Sequence, residues 1–242
     1  MAAEPILVAD GIRKRFGALV VLDGVDFAVG ADEAVGIVGP NGAGKTTLLN
    51  ILSGAQRPNG GRVSVEGDDV TRIGAAARCR LGIARAHQVP KPFGGMSVFE
   101  NVFVGATNGG RLRGRAAFER SSEVLELCEL LPLANRSAES LGLLHRKRLE
   151  LARALATGPR VLLLDEIGAG LTEEEAHQLV DTVRGLRGQG VAIVWIEHIV
   201  HVLVQVIDRL VCLDAGRVIA DGEPELVMRD AAVIDAYLGS AA

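Results

Sequence analysis

A glycine-rich loop at Gly39–Thr46 carries the clearest chemistry in this 242-residue sequence. Its letters GPNGAGKT match the pattern G-x-x-x-x-G-K-[ST] and lie between two apolar stretches, which indicates the order strand, loop, helix. Glycines let successive backbone N–H groups face a di- or triphosphate, and the following helix adds the positive end of its dipole. Lys45 would bridge the β and γ phosphates, and the Thr46 hydroxyl would bind Mg²⁺. The sequence therefore predicts a nucleotide site.

A pair of carboxylates follows a second apolar run, in the letters VLLLDE at Val161–Glu166. Successive side chains on a strand diverge, so Asp165 can support Mg²⁺ through water while Glu166 points toward the γ-phosphate and a water to be activated. Alone, such a pair is usually a solvated strand end. The phosphate loop favours the catalytic interpretation of this pair. These motifs do not indicate whether the base of the nucleotide is adenine or guanine.

The hydrophobic pattern predicts an α/β fold that would position these side chains. Ile6–Val38 and Gly61–Val70 are predicted as short strands punctuated by glycines, and Met96–Leu155 has the three-to-four spacing of helices. Strand and helix then alternate, which predicts a parallel sheet covered by helices. The individual predictions are helices at Phe118–Leu131 and Arg146–Leu155, a strand at Val161–Leu164, a helix at Glu173–Arg187, a strand at Val191–Ile196, a hairpin at Leu210–Gly222 and a terminal helix to Leu238.

Composition and charge exclude several classes of protein. The chain is 48% hydrophobic and 23% charged, which is unlike a disordered or coiled-coil sequence. Its 26 basic and 30 acidic residues are interspersed, so charge does not indicate a nucleic-acid partner. Apolar runs are far shorter than the ~20 residues of a membrane-spanning helix, and the first residues lack the pattern of an export signal. We therefore expect a soluble chain that stays in the cytoplasm.

Four motifs in the same order and spacing resemble those of ATP-binding cassette (ABC) ATPases over nearly the whole chain. GPNGAGKTT at Gly39–Thr47 resembles the Walker A loop, Gln88 the Q-loop glutamine, VLLLDE the Walker B strand and His198 the switch histidine. The resemblance implies a P-loop NTPase fold with a mainly parallel sheet flanked by helices, an N-terminal antiparallel β-subdomain and an inserted helical subdomain. It implies one ABC ATPase domain over 1–242, with 1–87 and 158–242 as the catalytic core lobe and about 88–157 as the helical subdomain.

The resemblance also implies roles for single residues, with ATP and Mg²⁺ as the cofactors. Phe16 matches the aromatic residue that stacks on adenine, Glu166 the general base and His198 the γ-phosphate contact, while Gln88 senses that phosphate and touches Mg²⁺. The implied metal residues are Thr46, Gln88 and Asp165. The implied phosphate-loop residues are Gly39, Pro40, Asn41, Gly42, Ala43, Gly44, Lys45, Thr46 and Thr47.

Two stretches, Gly82–Ala106 and Gly222–Gly239, resemble the ATPases of branched-chain or hydrophobic amino-acid importers. Importers of urea and other small amides look similar and stay an alternative. This resemblance implies a cytoplasmic chain held on the inner face of the plasma membrane by transmembrane permease subunits, which would dock on Phe93–Val104. It further implies a second ABC ATPase and an external substrate-binding protein as partners, and no nucleic acid.

The main departure from the family pattern is the signature loop, which is Leu-Ser-x-Gly-Gln in the family and Leu141–His145, letters LGLLH, here. The family's signature contacts the γ-phosphate held by the other subunit of the dimer. Gly142 lacks the serine hydroxyl, and Leu144 places a side chain where a close backbone approach is expected. These changes favour a heterodimer, in which a partner's signature completes this chain's ATP site, over a homodimer.

Two other classes of function compete with the importer subunit. A soluble ABC ATPase without a permease would act in repair, assembly or translation, but the sequence lacks a basic surface, a long inserted coiled coil and a tandem second cassette. A regulator that binds ATP without turnover is suggested by the altered signature alone. The presence of Glu166 and His198 argues against the regulator.

Overall fold

A four-stranded antiparallel sheet in the order β2-β1-β4-β5 forms one layer of the computed structural model, which describes residues 5–239. Its strands are β1 (Pro5–Phe16), β2 (Leu19–Gly30), β4 (Gly60–Val65) and β5 (Asp68–Asp69). The two first strands are 12 residues long, so the prediction of short strands is wrong here. Gly11 (φ 56°) and Gly24 (φ 75°) lie inside these strands at shifts of the pairing register, because glycine adopts the bulge conformation that lets the ladder continue.

A six-stranded sheet in the order β10-β9-β3-β8-β7-β6 forms the second layer. All its neighbouring pairs are parallel except the β9–β10 hairpin, which confirms the predicted mainly parallel sheet. The carboxyl ends of β3, β8, β7 and β6 therefore lie side by side at one edge. Its strands are β3 (Ala34–Val38), β6 (Ile83–Ala86), β7 (Val161–Asp165), β8 (Ala192–Ile196), β9 (Arg209–Asp214) and β10 (Arg217–Gly222).

Nine α-helices occur among the described residues, and those between Gln88 and Val161 are α3 to α5. Helix α6 ends at Arg184, before the predicted Arg187, and the predicted terminal helix is divided into α8 and α9. The division into a core lobe and a helical subdomain stays a prediction. The helices are α1 (Lys45–Leu52), α2 (Ala75–Arg80), α3 (Val98–Val104), α4 (Gly114–Leu127), α5 (Leu143–Ala156), α6 (Glu173–Arg184), α7 (Val200–Leu203), α8 (Pro224–Val227) and α9 (Ala231–Gly239).

None of the helices within residues 5–239 has both the length and the apolar composition needed to cross a bilayer.

The hydrophobic core lies on both faces of the six-stranded sheet. In β7, Val161 and Leu163 belong to a cluster shared with α1 and the antiparallel sheet, whereas Leu162 and Leu164 belong to a cluster shared with the helices on the other face. Every residue of β3, β7 and β8 is buried. Burial on both faces explains why these strands are continuous apolar runs rather than alternating ones.

Arg78 in α2 is a charged residue inside this core, with no exposed surface. Burial lowers the pKa of its guanidinium to about 10. Its nitrogens donate to carbonyl oxygens at the end of α1 and in the loop before α2, and these bonds fix the helix that starts at the phosphate loop. The accepting residues are Ile51 at 2.7 Å, Leu52 at 2.8 Å, Val70 at 2.7 Å and Ile73 at 3.0 Å.

We expect Arg78→Met to lower the free energy of unfolding by about 2–4 kcal/mol, because it leaves buried carbonyl groups without donors. Urea denaturation monitored by circular dichroism measures this difference. The matched control is Arg80→Met on the same helix, where the side chain is exposed and the change should stay within about 0.5 kcal/mol. Equal unfolding midpoints for the two variants would contradict the anchoring role of Arg78.

Candidate functional site

Loops that follow four neighbouring strands of the six-stranded sheet meet at its carboxyl edge. The phosphate loop follows β3, Glu166 follows β7 and His198 follows β8, while Gln88 follows β6. The sequence order of these strands is β3, β6, β7, β8, but their spatial order is β3-β8-β7-β6. The sheet therefore brings the loops together although they are far apart in the chain.

The phosphate loop is held by close backbone contacts that only glycine permits. Gly39 has φ 143°, and a Cβ atom there would lie 1.9 Å from the carbonyl oxygen of Leu213. Gly44, with φ 104°, would place a Cβ atom 2.8 Å from the carbonyl oxygen of Val21. These two glycines thus let the loop pass between β9 and β2 and deliver Lys45 to the first turn of α1.

Lys45 lies along the inner side of the loop and is only 5% exposed. Its ammonium group donates to the carbonyl oxygens of Gly39 at 2.6 Å and Pro40 at 2.9 Å. Burial lowers its pKa, and the negative charge of Glu166 partly offsets that effect. A pocket of about 300 Å³ opens at this point, large enough for a polyphosphate chain, and is lined by Leu19, Val21, Asn41, Gly42, Gly44, Lys45, Thr46, Thr47 and Glu166.

Glu166 is the centre of a hydrogen-bonded group formed by three of the predicted residues. Its Oε1 atom lies 2.7 Å from His198 Nε2, and its Oε2 atom accepts a hydrogen bond from Gln88 Nε2 at 2.5 Å. Its backbone is left-handed, with φ 46°, a costly conformation for a residue other than glycine. This turn directs the carboxylate to the phosphate pocket, while the Glu166 N–H donates to Ile196 O at 2.9 Å. The structure therefore brings Gln88, Glu166 and His198 together.

Asp165 is buried beneath this group and forms an ion pair that the sequence analysis missed. Arg85 Nη2 donates to Asp165 Oδ2 at 2.5 Å, and Arg85 Nη1 donates to Asn50 Oδ1 at 2.6 Å. Arg85 thereby joins strand β6 to β7 and to helix α1. No local signal could identify this pair because 80 positions separate its members.

The residues predicted to hold Mg²⁺ have suitable chemistry. Thr46, Asp165 and Gln88 offer hydroxyl, carboxylate and amide oxygens, the hard ligands that Mg²⁺ prefers. Within residues 5–239, no group of three or more His, Cys, Asp and Glu side chains is arranged to hold a metal. A cation here would therefore need further oxygens, such as those of a bound phosphate chain and water.

Phe16 lies at the end of β1 and is 48% exposed. The Lys14 ammonium lies 5.0 Å from the centroid of its ring. Phe16 pairs with Leu19 across the β1–β2 turn, and Leu19, unlike Phe16, lines the phosphate pocket. The structure therefore places the predicted adenine-stacking residue beside the pocket rather than in its wall.

Tyr237 in α9 contacts the phosphate loop, a contact that the sequence analysis also missed. The Gly39 N–H donates to the Tyr237 hydroxyl oxygen at 2.9 Å, across 198 positions of the chain. Burial raises the pKa of the tyrosine, and the Gly39 hydrogen bond partly offsets that effect. The carboxyl-terminal helix thus fixes the first residue of the loop.

The altered signature loop lies immediately before helix α5. Gly142 is the cap residue, with extended backbone at φ −68° and ψ 171°, and a Cβ atom there would meet nothing within 4 Å. Leu143 is 44% exposed. No residue of 141–145 lines the phosphate pocket of this chain. Neither conformation nor space therefore requires glycine at position 142.

Comparisons with known proteins agree with this geometry. The sequence profile of the family described as ABC transporter matches residues 22–169, and the profile described as branched-chain amino acid ATP-binding cassette transporter matches residues 217–242. The chain is 35% identical to the high-affinity branched-chain amino acid transport ATP-binding protein BraF of Pseudomonas aeruginosa, covering 99% of this chain and 100% of that protein. It is 34% identical to a probable branched-chain amino acid transport ATP-binding protein LivG of Methanocaldococcus jannaschii, covering 97% of each.

Solved structures give the same result. The ADP conformation of an ATP-binding cassette of an ABC transporter superposes with a TM-score of 0.89 at 32% identity, over 98% of this chain and 100% of that one. A nucleotide-free cassette superposes with a TM-score of 0.87 at 32% identity, over 96% and 98% of the two chains. Full-length relatives, a family match over more than half of the chain and the shared fold mean that this chain belongs to the ABC transporter family, as an ATP-binding ATPase subunit.

Proposed function

We propose that this subunit hydrolyses ATP to drive the uptake of branched-chain or other hydrophobic amino acids through membrane permease subunits. The observation that carries hydrolysis is the Glu166 carboxylate, held by Gln88 and His198 at the wall of the phosphate pocket. The substrate class is supported by the full-length relatives named for branched-chain amino acid transport and by the matching segment at residues 217–242.

Each residue of the site has a distinct role in this proposal. The loop from Gly39 to Thr47 binds the ATP phosphates through backbone N–H groups, and Lys45 exchanges its carbonyl contacts for the β and γ phosphates. Glu166 accepts a proton from the attacking water, a contribution of about 10²–10⁴ in rate. His198 contacts the γ-phosphate. Gln88 senses whether that phosphate is present, and the loop that carries Gln88 responds.

Thr46, Asp165 and Gln88 would hold Mg²⁺ in the proposal, and the Arg85 contact leaves the other carboxylate oxygen of Asp165 for this role. When bound, the ion neutralises charge that develops on the phosphate oxygens. Phe16 stacks on adenine from the adjacent hairpin. That role requires its exposed ring to move or the base to extend beyond the pocket wall.

The proposed permease contact is Phe93–Val104, whose two end residues line a cavity of about 420 Å³ between α2, β6 and α5. Helix α3 has a complete capping box formed by Ser97 and Glu100, and the Arg153 guanidinium lies 4.6 Å from the centroid of the Phe93 ring. These contacts give the surface a defined shape. Docking there would hold the chain on the inner face of the plasma membrane, with an external protein delivering substrate to the permease.

A heterodimer with a second ABC ATPase accounts for the altered signature loop. In the proposed arrangement, the partner's signature completes the ATP site of this chain, and Gly142 and Leu144 face the partner's site. Loss of one phosphate contact there weakens the partner's site by about 1.5–3 kcal/mol. The open space around Gly142 supports this assignment because the position would accept serine without strain.

We expect Glu166→Gln to reduce phosphate release by about 100-fold or more, because the amide cannot accept the proton from water, while ATP affinity is retained. The matched control is Glu174→Gln, an exposed carboxylate at the start of α6. Steady-state phosphate release by the complex purified through a tag on this chain, and equilibrium ATP titration of the isolated chain, measure the two quantities. Equal turnover for wild type and Glu166→Gln would favour a regulator that binds ATP without hydrolysis.

The same two variants test transport in a strain of the source organism that lacks the wild-type coding sequence. The wild type and Glu174→Gln should restore uptake of labelled leucine, whereas Glu166→Gln should not. If deletion of the coding sequence abolishes urea uptake but not leucine uptake, the substrate would be urea or a small amide and not a hydrophobic amino acid. A deletion that changes neither uptake would support a soluble ABC ATPase without a permease.

Tyr237→Phe should weaken ATP binding about fivefold, because a loop that has lost a hydrogen bond worth about 1 kcal/mol is less ordered before the nucleotide binds, and binding must then order it. Calorimetric titration in the Glu166→Gln background measures affinity without turnover. Ile234→Ala on the same helix is the control for general disturbance of α9, because its side chain is exposed. Unchanged affinity in Tyr237→Phe would show that its hydroxyl does not support the loop.

Glu166→Gln should stay monomeric in light scattering with MgATP, because both sites of a homodimer would contain the altered signature. The double substitution Gly142→Ser and Leu144→Gly restores the family's serine and glycine and should allow dimerisation. Serine in place of glycine at a helix cap alters stability by only a few tenths of a kcal/mol, and glycine in place of Leu144 in the first turn of α5 costs about 1 kcal/mol. A dimer gained by the double variant would therefore not result from a more stable fold. A tight dimer of Glu166→Gln alone would contradict the heterodimer requirement.

A further inference from the structure

We propose that Lys147 and Glu197 are positioning residues that hold the loops around Glu166 in one arrangement, an inference that rests on the proposed role of Glu166 as general base. Both side chains are almost completely buried, each with 3% exposure. Each contacts backbone groups of two different segments of the site. Neither residue is among the site residues that the sequence predicted.

Glu197 joins the loop after β7 to the loop after β8. Its Oε1 atom accepts from the Gly168 N–H at 2.7 Å, and its Oε2 atom accepts from the His198 N–H at 3.1 Å. A Cβ atom at Gly168 would lie 2.7 Å from Glu197 Oε1, so the close approach needs glycine. One carboxylate therefore sets the distance between the backbones that carry Glu166 and His198.

Lys147 joins helix α5 to the loops that carry Gln88 and Glu166. Its Nζ atom donates to the Gln88 carbonyl oxygen at 2.6 Å and lies 3.5 Å from the Glu166 carbonyl oxygen. Residue 147 lies in the second turn of α5, which starts directly after Gly142. A displacement of this helix would therefore move the backbones of Gln88 and Glu166 together.

The charge of Glu197 also acts on Lys147. Burial lowers the pKa of Lys147 and raises the pKa of Glu197, and the negative charge of Glu197 partly restores the charged form of the lysine. Burying two ionisable groups costs free energy unless hydrogen bonds compensate it. The compensating bonds here all go to backbone groups of the segments after β6, β7 and β8. The pair thus connects the segments that the proposed hydrolysis must align.

The test compares Glu197→Gln, Lys147→Met and Lys147→Arg in the transporter complex purified through a tag on this chain, because the proposed partner completes the ATP site only in that complex. We expect Glu197→Gln and Lys147→Met to lower kcat for ATP about tenfold or more while KM changes less than about threefold, since the lost hydrogen bonds align Glu166 and do not touch the phosphate loop. A glutamine at 197 can accept from only one of the two N–H groups. Lys147→Arg should recover most of kcat because guanidinium can donate to both carbonyl groups.

The matched controls are Glu225→Gln and Arg229→Met, which make the same kinds of change on side chains that are each 79% exposed and remote from the site. Both should keep the wild-type kcat and KM. Thermal unfolding of every variant, with assays well below each midpoint, separates alignment from loss of folded protein. If Glu197→Gln does not fold, the comparison of Lys147→Met with Lys147→Arg decides the inference.

Two results would overturn the proposed positioning role of Lys147 and Glu197. One is an unchanged kcat in Glu197→Gln and Lys147→Met while Glu166→Gln abolishes turnover, which would leave the proposed function intact. The other is an equal loss of ATP affinity and turnover, which indicates a general structural role. Turnover that survives Glu166→Gln would instead mean that the proposed function itself is wrong.

Discussion

The burial of the six-stranded sheet on both faces is the constraint on which the site depends. Since every residue of β3, β7 and β8 is buried, a polar side chain within these strands would lose its contact with water. The polar groups of the site therefore lie where these strands end: the phosphate loop begins at Gly39, and the carboxylates of Asp165 and Glu197 stand at the ends of β7 and β8. Parallel strands end at the same edge, so one packing requirement both keeps polar side chains out of the interior of these three strands and collects them at the phosphate pocket.

Buried cationic side chains fix the segments around this edge of the sheet. Arg78 bonds to the end of α1, Arg85 pairs with Asp165, and Lys147 bonds to the backbone of Gln88. Each connects a helix or outer strand to a segment of the site. Their fixed positions come from hydrogen bonds to carbonyl and carboxylate groups, which compensate the cost of burying the charge. The site is thus stabilised by these buried side chains as well as by the phosphate loop.

Gly142 in the signature loop differs from the glycines of the phosphate loop because neither its conformation nor its surroundings require glycine. It has open space around it, whereas the conformations of Gly39 and Gly44 exclude a side chain. A residue that is free of local constraints can respond to another molecule. This contrast is the physical basis for the proposed heterodimer, in which the altered loop serves a neighbouring ATP site.

Local sequence was sufficient to predict the phosphate loop, the carboxylates Asp165 and Glu166, and the parallel α/β fold, because each depends on contiguous spacing of glycine, polar and apolar residues. It could not predict that β1 and β2 continue through glycine bulges, since a glycine that ends a strand and one that bends it look alike. Strand β6 was missed because its four residues include the polar Arg85. The boundaries of the helical subdomain stay a prediction from the family resemblance.

The tertiary structure alone decided which distant groups meet. Gln88 and His198 reach Glu166 from strands on either side of β7, Tyr237 reaches Gly39 from the carboxyl-terminal helix, and Arg85 pairs with Asp165. Spacing along the chain reports the conformation and exposed face of each element, but not the order in which strands pair. That order is set by packing of the whole core, and with it the contacts that turn separate motifs into one site.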